Sequence, residues 1–237
     1  MKLAINLNLK LKIISQPKFL VTGFPGFQSL TNNPTEYLVQ FLKQLEDEGK
    51  NLFSEIDLKT MVLEVSFRDS VKALQKMILQ YRPDVVLSFG FTWVDRIHLE
   101  RRAVNISNGQ DNDGEIRKNQ PVVKEGPLFH SATIPLRPVQ HALATAGIPS
   151  KINSKPTQFV CNNLYYSILD FIEKKNLDIK TGFIHVPNVF KIDPKTGLKI
   201  YAVDKPEYRQ NAMSTDTLKT AGVIILEAVF NAYLKAH

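Results

Sequence analysis

The sequence predicts an α/β protein: a single-domain α/β/α sandwich around a largely parallel central sheet. Three observations carry that reading. Short apolar runs bounded by Gly or Pro alternate along the chain with longer segments of helical periodicity. No internal repeat or linker breaks the alternation. The 237 residues, 43% hydrophobic and 22% charged, supply enough apolar material for one large core.

The elements follow in order. In residues 2–13, Leu3, Ile5, Leu7, Leu9, Leu11 and Ile13 alternate with polar neighbours, the period of a strand. We read residues 1–17 as an N-terminal extension with one extra strand, and residues 18–237 as the main domain. Lys18 to Thr22 is a buried strand that ends at Gly23. Asn33-Pro34 is a helix start, with Asn as cap and Pro in the first turn, and Gly49 stops that helix after Glu48. A strand is expected near Lys59–Phe67, a helix near Asp69–Tyr81 halted by Pro83, and a buried strand over Asp84–Phe89 closed by Gly90. Residues 99–107 read as a strand and 108–127 as a polar loop. A helix over Pro138–Ala146, a strand at Lys151–Ser154, a helix over 159–175 and a strand at Thr181–Val186 follow. The last helix, from Thr215 to Lys235, is apolar on most sides and therefore deeply buried.

Ligands of such sheets bind beyond the carboxyl ends of the strands. Residues 22–34, 90–100, 155–163 and 185–190 are thus the segments to search. Composition removes several classes of function. Lys and Arg number 30 against 23 Asp and Glu, giving a net charge of +7. The excess is scattered, with no basic run of the kind that marks a nucleic-acid patch, so no nucleic-acid partner is expected. No apolar stretch approaches the ~18 residues of a membrane span, since Glu227 interrupts the longest one. The N-terminus lacks the pattern of a signal peptide, and a single cysteine, Cys161, allows neither an internal disulfide nor a thiolate zinc cluster. Both point to a cytoplasmic protein. Gly23-Phe-Pro-Gly26 is neither a dinucleotide nor a phosphate loop, and no metal motif or G-x-S-x-G elbow is present, so no cofactor or metal is expected.

What remains is Cys161, His185 and a choice of acids. Cys161 falls in the first turns of a helix, where free N–H groups and the helix dipole favour a thiolate. His185 falls at the carboxyl end of a strand, on the ligand-binding edge. Two readings are open at this point. Cys161 shares a helical face with Leu164, Ile168 and Ile172, so it fits a packed core position as well as a reactive one.

The motifs around these residues narrow the choice. Val21-Thr-Gly-Phe24 with Asn33-Pro34, Leu99-Glu-Arg-Arg-Ala-Val-Asn-Ile106, Asp111-Asn-Asp-Gly114, Phe159-Val-Cys-Asn162 and Gly182-Phe-Ile-His-Val-Pro187 together resemble pyroglutamyl peptidase type I, in family order from Lys18 to Lys235. The resemblance implies a cysteine peptidase that removes an N-terminal pyroglutamyl residue, with Cys161 as nucleophile, His185 as general base and Glu100 orienting the imidazole. It implies a pyroglutamyl peptide as partner, no cofactor, and a homo-oligomer, dimer or tetramer. Phe24 and Phe27 keep the aromatic pair that flanks the lactam ring. The chain departs from the family elsewhere. Gln28 stands where a glycine is usual, Phe91-Thr-Trp93 replaces a segment with Gln and paired glycines, and no arginine lies between Asn105 and Asp111. Phe91 thereby becomes a substrate-binding position. An alternative follows from the same departures: a non-catalytic or repurposed relative that binds a peptide terminus or a protein partner.

The alternation in residues 2–13 is self-contained, and the resemblance starts only at Lys18. A chain that begins at Lys18 is therefore expected to fold and to give the full-length protein's circular dichroism spectrum. Failure of that chain to fold would make the extension part of the sheet.

Overall fold

The computed structural model describes residues 16–27, 32–49 and 51–237. The predicted strand at 2–13 and the position Gln28 lie outside them. In chain order the elements are β1 (Lys18–Gly23), α1 (Pro34–Glu48), β2 (Asp57–Val62), α2 (Asp69–Tyr81), β3 (Val85–Phe91), β4 (Ile97–Glu100), β5 (Arg102–Val104), β6 (Ser107–Gln110), β7 (Ile116–Gln120) and β8 (Phe129–Ser131). The second half adds α3 (Leu136–Thr145), β9 (Ser150–Asn153), α4 (Val160–Lys174), β10 (Lys180–Val186), β11 (Val189–Ile192), β12 (Lys199–Tyr201), α5 (Pro206–Arg209), β13 (Met213–Ser214) and α6 (Thr215–Ala236).

Six strands form the central sheet in the order β2-β1-β3-β10-β4-β9. The first four are mutually parallel; β4 runs antiparallel to β10, and β9 runs with β4. Residues along each central strand alternate between two apolar layers. Phe19, Val21, Leu87, Phe89, Ile184 and Val186 pack against α1, α3 and α6, while Leu20, Val86 and Phe183 pack against α2 and α4. The expected α/β/α sandwich with a mostly parallel sheet is the observed architecture. By length and composition α6 could cross a membrane. Here its Leu218, Ala221, Ile225, Leu226, Val229 and Phe230 are buried in the first layer, as expected of a core helix.

Local chemistry explains several boundaries. Asn33 caps α1 by accepting from the Thr35 amide, and Gly49 ends the helix in the left-handed conformation, φ 61°. The strand expected up to Phe67 leaves the sheet after Val62. Leu63, Val65 and Phe67 remain buried, but the Phe67 amide donates to Asp111 Oδ2 (2.8 Å) rather than to a ladder. The strand expected to stop at Gly90 runs through it to Phe91. The segment 99–107 divides into β4 and β5, and the polar stretch 108–127 contains the β6–β7 hairpin.

Two consecutive asparagines tie α4 to the loops outside the sheet. Asn162 accepts from the Val104 amide (2.9 Å) and donates to the Val104 and Ile106 carbonyls (2.9 and 3.0 Å). Asn163 donates to the Phe67 carbonyl (2.8 Å) and accepts from Ser107 Oγ (3.0 Å). Both are almost wholly buried. Asn162→Ala strands a buried amide and two carbonyls and should cost about 2–3 kcal/mol of unfolding free energy in urea titrations.

Candidate active site

The site lies at the carboxyl edge of the parallel strands, where β1, β3 and β10 end and α4 begins. At the end of β1, Gly23 lies so close to α1 that a Cβ there would come 2.6 Å from the Thr35 carbonyl oxygen. Thr35 Oγ1 accepts from the Phe24 amide (3.0 Å), and Asn33 donates to the Pro25 carbonyl (2.9 Å). The start of α1 thus fixes the turn that carries Phe24 and Phe27.

Cys161 occupies the first turn of α4, half-buried, whereas Leu164, Ile168 and Ile172 behind it are buried. The first intrahelical bond runs from the Asn163 amide to the Phe159 carbonyl (3.0 Å). The N–H groups of Val160, Cys161 and Asn162 precede it, as the first amides of a helix do, and are available to an anion. Gly90 faces the thiol: a Cβ there would lie 2.9 Å from Cys161 Sγ and 2.7 Å from the Phe183 ring. Only glycine permits β3 to run past the cysteine.

His185, on β10, is buried. Its Nδ1 makes a 2.8 Å bond with Glu100 Oε1, also buried. Because β4 is antiparallel to β10, Leu99 pairs with Ile184 and His98 with His185, so Glu100 projects diagonally towards the imidazole from the same face. Asn153, opposite Glu100 on β9, donates to both carboxylate oxygens (3.1 and 2.9 Å). The other side-chain partner of the imidazole is Cys161. Burial pulls the imidazole towards neutrality. Hydrogen bonding and charge from Cys161 and Glu100 outweigh it and raise His185 from 6.5 to about 10. His98, beside it, is lowered to about 4 by burial and the Lys151 charge, and stays neutral.

Cys161 opens onto a cavity of about 270 Å³ lined by Phe24, Phe27, Asn33, Val65, Phe91, Thr92, Trp93, Phe159 and Val160. All three substrate positions expected from the sequence, Phe24, Phe27 and Phe91, line it. Phe159, Val65 and Trp93 are additions. Phe159 tilts against Phe27 (centroids 5.2 Å apart) and meets Phe67 edge-on. Its ring lies against Gly109, where a φ of 108° and a 2.7 Å approach to a hypothetical Cβ both require glycine. Trp93 contacts Phe91 edge-on (4.8 Å) and stacks on Tyr208. The region between Asn105 and Asp111 lacks an arginine, but Arg117 returns from the facing strand β7. It stacks over Phe67, pairs with Glu115 (2.9 Å) and donates to Asn163 Oδ1 (2.6 Å), bringing an ion-paired guanidinium to the first turns of α4. Among the described residues, no cluster of His, Cys, Asp or Glu could hold a metal ion.

A sequence model of the pyroglutamyl peptidase family matches residues 17–229. The chain belongs to that family. It is accordingly a cysteine peptidase, a hydrolase. It is 33% identical to the pyrrolidone-carboxylate peptidase of Oceanobacillus iheyensis over 74% of this chain and 86% of the relative. It is 31% identical to that of Bacillus licheniformis over 80% and 83%. Among solved structures, the pyrrolidone carboxyl peptidase of Thermococcus litoralis superimposes with a TM-score of 0.78 at 26% identity, covering 93% of this chain and 96% of that one. A mutant of the Pyrococcus furiosus enzyme gives 0.77 at 27%, covering 91% and 99%.

The raised His185 value fixes the sign of a pH effect. In the unfolded chain the imidazole titrates near 6.5 and in the folded chain near 10. Its proton therefore stabilises the fold fully below 6.5, and that contribution is lost as pH rises through 10. Urea unfolding across this window should show wild-type stability falling towards that of His185→Gln. Parallel curves would show that the imidazole is neutral in the folded protein.

Proposed function

We propose that this protein removes an N-terminal pyroglutamyl residue from peptides, with Cys161 as nucleophile, His185 as proton carrier and Glu100 as its orienting acid. The observation that carries the reading is the chain of contacts Asn153–Glu100–His185, ending beside a cysteine that opens an aromatic pocket. The flat lactam ring stacks against Phe24, Phe27 and Phe159, which are already packed and lose little freedom on binding. Cys161 Sγ attacks the pyroglutamyl carbonyl, and the developing oxyanion is met by the free amides at the start of α4. The His185 imidazolium protonates the departing amine, which leaves a thioester, and water then releases pyroglutamic acid. Glu100 holds Nδ1–H and balances the imidazolium charge; Asn153 keeps Glu100 in place.

The specificity departs from an ordinary lactam site. The side chains around the cavity are mainly apolar, and the amide of its one asparagine, Asn33, is committed to Pro25 and Thr35. Phe91 contributes bulk but no polar partner for the lactam N–H and C=O. Pyroglutamyl substrates are therefore accepted with reduced kcat/KM. The chain of contacts from Asn153 through Glu100 to His185, beside Cys161, supports cleavage over the alternative of a relative that binds without cleaving.

Turnover of a fluorogenic pyroglutamyl amide tests the reading. Wild type should cleave it and Cys161→Ala should not, while Phe91→Gln should raise kcat/KM by about five- to tenfold through a restored hydrogen bond. An inert wild type would overturn the function. Wild-type efficiency equal to that of ordinary relatives would overturn the specificity argument alone.

A further inference from the structure

A second, much smaller cavity also touches the cysteine. Its volume is about 10 Å³, and Glu100, Thr157, Cys161, Tyr165 and His185 are among its walls. That is about one probe sphere, the least room that holds a water molecule. Among the described residues, two buried hydroxyl oxygens on the walls of this cavity, Thr157 Oγ1 and Tyr165 Oη, have no hydrogen-bond partner, and His185, whose imidazole is engaged with Cys161, lies beside them. A buried hydroxyl without a partner is costly, and one water needs two to four polar neighbours. Tyr165 follows Cys161 by one helical turn, so its ring lies on the same face of α4 directly behind the reacting sulfur. It is 3% exposed, and burial together with the Glu100 charge raises its hydroxyl far above the ordinary phenol range. At working pH it is a neutral hydroxyl, able to donate to one water lone pair and to accept in turn.

We propose that Tyr165 and Thr157 hold the water that hydrolyses the acyl-enzyme, which makes them positioning residues for the second half of the reaction. This inference rests on the proposed function. Before acylation, Nε2 serves the thiol. Once Sγ is in a thioester and the amine product has left, Nε2 is free to take a proton from the bound water. The water oxygen attacks the thioester carbonyl and forms the new C–O bond. The C–S bond then breaks, the electron pair returns to Sγ, and His185 passes the proton back to it. One water is consumed and pyroglutamic acid is released.

The para-nitrophenyl ester of pyroglutamic acid separates the two half-reactions, because its acylation is fast and water attack limits turnover. Its kcat/KM reports steps up to acylation, and its kcat reports deacylation. Tyr165→Phe and Thr157→Val should each lower kcat by about tenfold, the effect of one lost hydrogen bond, with KM falling in step and kcat/KM changing less than about twofold. A burst of nitrophenol near one per site should precede the slow phase in both variants. If kcat and kcat/KM fall together, or neither moves, the hydroxyls do not act on water and the inference is wrong. A wild type that never acylates overturns the proposed function and this inference with it. Should a variant fail to fold, a crystal structure of the wild type decides: an ordered water within hydrogen-bond reach of Tyr165 Oη supports the assignment, and its absence overturns it.

Discussion

The bond between Glu100 and His185 is the constraint from which the rest of the site follows. Both groups are buried, and a carboxylate alone in such a place would cost roughly several kcal/mol. Each therefore needs the other, and the sheet is arranged to supply the match. Reversal of β4 against β10 is what brings a residue late in one strand beside a residue late in the other. A parallel β4 would carry its end away with the neighbouring strand ends in a different register. The parallel pairing of β9 with β4 then sets Asn153 opposite Glu100 and satisfies both oxygens. His98 shares the same face, and its neutrality matters: a second cation there would compete with His185 for the one carboxylate.

The cysteine is held by different means. Its side chain meets the His185 imidazole, and the helix beneath it is what fixes its place. Asn162 and Asn163 anchor the first turn of α4 to Val104, Ile106, Phe67 and Ser107, segments remote in sequence. Gly90 and Gly109 let β3 and the β6–β7 hairpin approach from two sides without a Cβ in the way. The sulfur is thus placed by its backbone while remaining free to form and break a bond, which suits a nucleophile better than a tightly packed side chain would.

How much of this was readable in the sequence depended on whether local chemistry decided the matter. The caps at Asn33 and Gly49, the stop before Pro83 and the buried runs in β1 and β10 are local, and they stand where composition put them. The β6–β7 hairpin has Ser-Asn-Gly-Gln on one strand and Ile-Arg-Lys-Asn-Gln on the other; largely exposed, it carries no apolar alternation to read. Arg117 went unnoticed for that reason, since its approach to Asn163 depends on a register across the hairpin. Leu63, Val65 and Phe67 point in the opposite direction: their alternation is real, but beyond the Leu63 amide, which donates to the Gly23 carbonyl, it reflects burial against α2 and α4 rather than a ladder. The choice of Glu100 among several acids came from resemblance, because a diagonal contact across an antiparallel pair has no signature in one strand. Tyr165 has the helical spacing of a core aromatic, and only its unpartnered hydroxyl distinguishes it.

The pocket's chemistry sets a limit on how selective the enzyme can be. A site that hydrogen-bonds its substrate rejects an analogue lacking the polar group by a factor of about 10⁴–10⁵, because its own buried partners are then left unpaired. A site that works by apolar contact discriminates a methylene by only about 10–200-fold. On the proposed function, with Phe91 and Trp93 beside Phe24, Phe27 and Phe159, recognition leans on ring faces, and a lactam's polar edges would meet few side-chain partners. Flat five-membered rings of similar size should then compete more evenly than at a polar site. The Trp93–Tyr208 stack works against complete permissiveness. It ties the loop after β3 to α5, which braces the Trp93 wall of the pocket. On the proposed function, shape rather than hydrogen bonding is therefore the property by which this pocket would exclude.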